Sequence, residues 1–311
     1  MYRLAWIAAL MTGALAPSHA ATVTPELEVL GSFDSPAEGM NGYRIEELSG
    51  LAWDADEKLL YAVSDTGILH HFRIRLEGGR VTHIEVVHSA PLTAEDGTEL
   101  AVNDAEDVAV VNGGNGKAND SELLIAIEDG PAVARFTPQG KRIANVVLPG
   151  PLADKTQYPK KNRRLESVAF DARYGVVTAP ETALLGQPED QHTLYATDGR
   201  KWSFKAFRAG DSNVKAIEIM PDGNALVLER TREAKGALFV GRLRRVDIAG
   251  CGGNETCGVT DFTPVPAAGL ANNFEGMTSL GDDMLLLVTD ETAKDGKPTI
   301  FTLVAFKPAS Q

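Results

Sequence analysis

Cysteine is almost missing from this chain. The two present, Cys251 and Cys257, stand close together in "AGCGGNETCGV". Two are too few for a fold stapled throughout. With no histidine or further cysteine beside them they are also too few for a zinc site. Their spacing predicts one disulfide closing a small loop, worth about 2 kcal/mol by chain-entropy arithmetic. Cations are scarce as well, with 30 Lys and Arg against 43 Asp and Glu and a net charge of −13. That balance argues against nucleic acid and against a polyanion-binding face. No Gly-x-Ser-x-Gly elbow and no His-Glu-x-x-His zinc motif occurs, which removes two common hydrolase designs. "GGNGKAND" lacks the Gly-Lys-Ser/Thr ending of a phosphate loop and reads as a turn. Helical periodicity is hard to find, because apolar runs are short, alternate with period 2, and are broken by Gly or Pro.

What is present begins with a leader. "MYRLAWIAALMTGALAPSHA" carries one cation, an apolar stretch from Leu4 to Ala16 and a small-residue ending. This layout predicts a secretory signal peptide over 1–20, cleaved after Ala20. The apolar stretch is well short of the roughly 20 residues that span a bilayer. The expectation is a periplasmic or secreted protein with no membrane contact after cleavage, forming a single domain over 21–311.

Five segments of that domain align. They are "LSGLAWDADEKLLYAVSDTG", "AEDVAVVNGGNGKANDSELLIAIEDG", "LESVAFDARYGVVTAPET", "VKAIEIMPDGNALVLERT" and "FEGMTSLGDDMLLLVTDE". Each opens on a polar residue followed by a small or acidic one. A short apolar run, a turn rich in Asp, Gly and Asn, and a second apolar run ending on acids then follow. A repeat near 50 residues built of short strands is the mark of propeller blades. Further strand-like runs such as "ILHHFRIRL" and "HTLYATD" bring the count toward four per unit. The last unit has only three, and "ELEVLGSF" near the start is a spare. The prediction is an all-β propeller of five four-stranded blades, with six possible, its ring closed by the N-terminal strand.

In a propeller the first strand of each blade lines the central channel. The aligned openings, Ser49, Glu106, Glu166, Lys215 and Glu275, are therefore expected around one axis. The ends of the second runs add Asp65, Glu128, Asp129, Glu181, Glu229, Asp290 and Glu291, and Asn103, Asp104, Asn272 and Asn273 precede two of the openings. Crowded carboxylates repel unless a cation sits among them, and calcium takes oxygen donors of this kind. Lys215 and Arg230 offer internal neutralisation instead. The basic group Lys160, Lys161, Arg163 and Arg164 lies in the long connection "LPGPLADKTQYPKKNRR", where loop cations either stay solvated or grip a phosphate.

The chain resembles the phytase-like family, described by the esterase-like activity of phytase. The resemblance rests on "LSGLAWD" and "YAVSD" in 48–65, "DAEDVAV" and "IAIEDG" in 104–130, "LESVAF", "MPDGNALVLERT", and "NFEGM", "LLLVTDE" and "TIFTLVAF" in 273–306. It implies a propeller in the secretory or periplasmic space and hydrolysis of a phosphoester. Carried over residue by residue, it implies Glu106, Glu166, Glu229, Arg230 and Glu275 as catalytic candidates. Glu106, Asp107, Glu128, Glu166, Glu275 and Asp290 become candidate calcium ligands, with Lys160 and Arg163 toward substrate phosphate. Ser49 and Lys215 depart from a fully acidic ring.

Three functions stay open from sequence. One is a calcium-dependent phosphomonoester or phosphodiester hydrolase, monomeric and acting on a small phosphorylated substrate. Another is a propeller that binds a ligand or protein without catalysis. The last is a metal-dependent lactonase.

Overall fold

The computed structural model describes residues 25–100, 104–232, 237–252, 256–266, 269–281, 283–291 and 297–307. The expected leader and Asn103 lie outside the described residues. Five separate sheets, antiparallel except for two short added edge strands, account for the strands, and each begins at one of the aligned segments. The first runs Leu48–Asp54, Leu59–Ser64, Ile68–Glu77 and Arg80–Pro91. The second runs Ala105–Val111, Glu122–Ile127, Ala132–Phe136 and Arg142–Asn145. Leu165–Asp171, Gly175–Pro180, Gln191–Ala196 and Lys201–Lys205 make the third. Ser212–Ile219, Ala225–Arg232, Phe239–Val246 and Val259–Asp261 make the fourth. The fifth is Phe274–Gly281, Met284–Thr289 and Ile300–Phe306, completed by Glu26–Asp34.

Each innermost strand packs on the innermost strands of the blades to either side, and Phe274–Gly281 returns to Leu48–Asp54. The result is a closed five-bladed propeller. Ring closure by the N-terminal strand is as expected: Leu27 pairs with Phe306 and Asp34 with Ile300. Two short strands go beyond the four-per-blade count. Thr263–Val265 runs parallel along the outside of Glu26–Asp34. Thr256–Cys257 reaches back to the edge of the third blade, beside Ser203 and Phe204. The Cys251–Cys257 disulfide ties off the loop that makes this excursion.

The core follows from the alternation of strand side chains. A blade's second strand is covered on both faces, so its apolar run is continuous. In Glu122–Ile127, Leu123, Ile125 and Ile127 pack against the first blade. Leu124 and Ala126 face the third. The same division repeats around the ring and gives five apolar clusters, one between each pair of neighbouring blades. Turns between first and second strands use the expected residues. Asp54 Oδ1 accepts the amides of Asp56 at 3.1 Å and Glu57 at 2.9 Å. Gly175 takes the left-handed conformation (φ +71°) that closes "DARYG".

Candidate active site

One irregularity recurs in all five blades and builds the site. The pairing of first and second strands slips between Leu48 and Gly50, Ala105 and Asp107, Leu165 and Ser167, Val214 and Ala216, and Phe274 and Gly276. The residue skipped each time is Ser49, Glu106, Glu166, Lys215 or Glu275. A β-bulge leaves one residue unpaired and re-aims its side chain. Here the bulge falls on the aligned opening residue of each unit. The residue after it leans on the next blade. A Cβ on Gly50 would come within 2.5 Å of the Asp107 backbone, and one on Gly276 within 3.0 Å of the Ser49 carbonyl. This accounts for the polar-then-small pattern: the first residue serves the axis and the second permits the close approach of strands.

Asp107 occupies that second position. One of its oxygens accepts the amide of Val108 and the other the amide of Val168 in the third blade, both at 2.9 Å. Both oxygens are thus engaged in bracing two blades, and Asp107 stands apart from the metal-ligand role implied for it.

At the axis, Glu106, Glu166 and Glu275 each present a carboxylate oxygen within 4.8 Å of the others. Lys215 lies among them. Its Nζ contacts Glu166, lies 3.0 Å from Glu275 and 3.4 Å from Glu181. Arg230 contacts Glu275, lies 3.4 Å from Glu181, and donates to Asn273 Oδ1 at 3.0 Å. Burial opposes charge on Lys215, but Glu166, Glu181 and Glu106 outweigh it and raise its pKa. The ammonium therefore stays protonated. Burial lifts Glu166 to about 7 even against Lys215. Glu106 is pushed well above the usual carboxylate range by burial and by Glu166, with Lys215 only partly offsetting them. No ion pair or hydrogen bond engages the Glu106 carboxylate among the described residues.

The rim is held by backbone. The amide of Glu47 donates to Glu291, Asp65 to Glu47, Asp104 to Asp65 and Glu128 to Asp104, at 3.0, 3.0, 2.7 and 2.8 Å. The thread continues through Arg164, whose amide donates to Glu128 Oε1 at 2.5 Å. It ends with Glu181 to Arg164 and Val214 to Glu181, at 2.7 and 3.0 Å. Glu47 and Asp104 take the left-handed conformation at φ +55° and +72°, uncommon for such side chains and a mark of over-determined surroundings. Burial raises Asp65 and Glu128 each to about 7. Asp290 is also raised, by burial first, while Lys215 and Arg230 pull it back.

Glu229 is elsewhere. It is fully buried between the third and fourth blades, paired with Arg244, and accepts the Phe207 amide at 3.0 Å. Burial would raise it, but His192, Arg244 and that amide lower its pKa. It stands apart from the axial carboxylates. Asp129 pairs with Arg164 at 3.3 Å, near the rim. Arg163 reaches inward, with Nε 3.8 Å from Glu181 and a terminal nitrogen 2.9 Å from Asn213 Oδ1, while Lys160 is exposed. Glu181 and Asn213 are the additions that sequence spacing left without a role. Glu181 was legible as a strand-end acid. Asn213 gave no signal.

The chain matches the phytase-like family, described as "Esterase-like activity of phytase", over residues 44–292. The chain belongs to the phytase-like family. The matched span contains every first-strand bulge and all five axial residues. Phytase-like membership supports an esterase-like hydrolase. No curated protein matches the chain. Solved structures similar to it include "Crystal structure of RRP9 WD40 repeats", at 8% identity, TM-score 0.45, over 91% of this chain and 99% of that one. Another is "Structure of U3-55K", at 9% identity and TM-score 0.44, over 90% and 99%. Likeness at that level carries nothing about function.

Proposed function

We propose that this phytase-like propeller is an exported, monomeric hydrolase of phosphoesters whose reaction centre is the axial carboxylate cluster. The observation that carries the reading is the state of Glu106. Its carboxyl has no hydrogen bond or ion pair among the described residues and lies within 4.8 Å of oxygens of Glu275 and of Glu166, which an ammonium contacts; burial and Glu166 push its pKa up. Two neighbouring carboxyls that hold protons to different extents near neutral pH can divide acid and base work. Glu106, protonated, would donate to the departing alkoxide. Glu128, near 7, would take a proton from the attacking water. Arg230 and Arg163 face the same space and would neutralise phosphate oxygens.

Calcium is part of this proposal. The donors are all hard oxygens, and oxygens within 4.8 Å of one another suit ligands each about 2.3–2.6 Å from one ion. Glu166 and Glu275 would hold it as carboxylates beside Glu106, which keeps its proton for the leaving group, with Lys215 limiting how much further positive charge the cluster accepts. When bound, the ion would supply charge neutralisation and a more acidic water. Export is supported by the leader pattern and by a disulfide, which persists in oxidising compartments. Fractionation should recover the chain outside the cytoplasm, shortened after Ala20.

The test is turnover. The purified chain is assayed on chromogenic phosphomonoesters, phosphodiesters, carboxylic esters and lactones, with chelator and with calcium. Phosphoester turnover should fall with chelator and return with calcium, and Glu106→Gln should cost roughly a hundredfold or more in kcat. Hydrolysis of none of these by calcium-replete protein, or full activity in Glu106→Gln, rejects the reading. Lactone turnover alone would move the chemistry to a lactonase. A second reading, a binding propeller without catalysis, draws support from Lys215 and Arg230, which already pair most of the ring. It predicts a calcium-dependent rise in melting temperature with no turnover.

A further inference from the structure

A cavity of about 210 Å³ opens between the third and fourth blades, lined in part by Lys160, Arg163, Thr182, Glu189, His192 and Ser212. It adjoins the axial cluster, because Arg163 reaches from it to Glu181. His192 is 4% exposed, and neither ring nitrogen has a hydrogen-bond partner. Its Nε2 lies 3.6 Å from a Glu229 oxygen, beyond hydrogen-bond length. Thr182 Oγ1 is also buried and without a partner. Buried polar groups left unmet are destabilising, and the two here border the same space. The cavity holds roughly seven water volumes, ample for one small ion and its remaining hydration.

The lining is rich in donors. Lys160, the remaining N–H groups of Arg163 and the Thr182 hydroxyl offer protons, and His192 adds one from whichever ring nitrogen carries it. Ser212 Oγ already accepts the Arg208 amide at 2.8 Å. The carboxylate of the lining, Glu189, is exposed, and Glu229 behind His192 is committed to Arg244. Donors that outnumber acceptors in a half-enclosed space call for a ligand that only accepts. We propose that this cavity is a phosphate-sized oxyanion subsite, holding an anionic group of the substrate beside the axial centre. It rests on the hydrolase reading for the word substrate, and on the cavity alone for the ligand's chemistry.

Inorganic phosphate titrated calorimetrically into the full-length protein tests it without any reaction. A single saturable site is expected. Lys160→Ala and His192→Gln should each weaken it about tenfold or more, the range for hydrogen bonds to charged groups. Thr182→Val, which leaves the His192–Glu229 contact alone, should weaken it severalfold and serves if His192→Gln does not fold. Absence of saturable binding to the parent protein overturns the proposal. So does an affinity that follows Glu106→Gln and ignores Lys160, Thr182 and His192, since that would place phosphate at the axis. Failure of the hydrolase reading looks different: phosphate binds and the cavity variants lose it, yet no ester is cleaved.

Discussion

Replacing Lys215 with methionine keeps the aliphatic stem and deletes one charge from the centre of the ring. The ammonium is buried, touches Glu166 and stands within 3.4 Å of Glu275 and Glu181. Arg230 would then be left as the inner cation for three carboxylates. Removing one partner of a buried ion pair costs about 3–5 kcal/mol. For a domain of this size each kcal/mol moves the midpoint by roughly 2–4 °C, so a fall of about 6–20 °C is expected near pH 8–9. The loss should shrink toward about pH 5, and the sign follows from linkage. Glu166 already has a folded pKa near 7 against 4.5 unfolded, and losing Lys215 raises it further. A carboxyl raised on folding binds its proton more tightly in the native state. Its contribution is therefore greatest at low pH and is lost as pH climbs from the unfolded value through the folded one. Calcium should reverse part of the damage, by about 2.7 kcal/mol at a hundredfold excess over Kd. Thermal melts across pH, with and without calcium, make the measurement. A variant that melts within a degree or two of the parent at pH 8–9, or that loses as much at pH 5 and ignores calcium, refutes the account of the ring.

Glu218→Gln should flatten the pH dependence of stability. At the far end of the channel, among Trp53, Val110, Phe170 and Ser279, burial pushes Glu218 up to about 8 against one backbone hydrogen bond. The parent therefore loses stability between about pH 4.5 and 8, and the variant should melt several degrees higher above that range. Gly50→Ala should cost about 1–3 kcal/mol in urea unfolding, because the added carbon meets the backbone of Asp107 and Val108 at 2.5–2.6 Å. An unchanged midpoint would mean that the inner strands can part more easily than their packing implies.

The repeat was legible in the sequence because propeller blades are alike in what they ask of each strand. Two-sided burial of a second strand demands an unbroken apolar run, and a hairpin turn demands Asp, Gly or Asn. The spare run "ELEVLGSF" could be assigned to the fifth blade by elimination. The bulge itself was hidden. A single skipped residue leaves no trace in periodicity over so short a strand, although the polar-then-small pairs were its shadow. Asp107 was drawn toward the axis by the family resemblance, whereas its position after the bulge turns it to the neighbouring blade. Glu229 was grouped with the strand-end acids, but alternation along Ala225–Arg232 sends it into the blade interface while Arg230 faces the axis. His192 and Thr182 gave no warning, since their meeting depends on how two blades pack, which one strand's pattern does not encode.

The strand Glu26–Asp34 is gripped on one side by Ile300–Phe306 and on the other by Thr263–Val265. The sheet of the fifth blade is not whole until two strands some 270 residues apart in sequence meet. Such a ring cannot mature blade by blade during synthesis. It must wait as an open arc, with the exposed edge of Ile300–Phe306 available to any other strand, including the same strand from a sister molecule. Loss of either strand would injure the same blade. A chain in which Ile300–Phe306 is linked directly to Glu26–Asp34 and which is opened between two other blades should fold with its site intact.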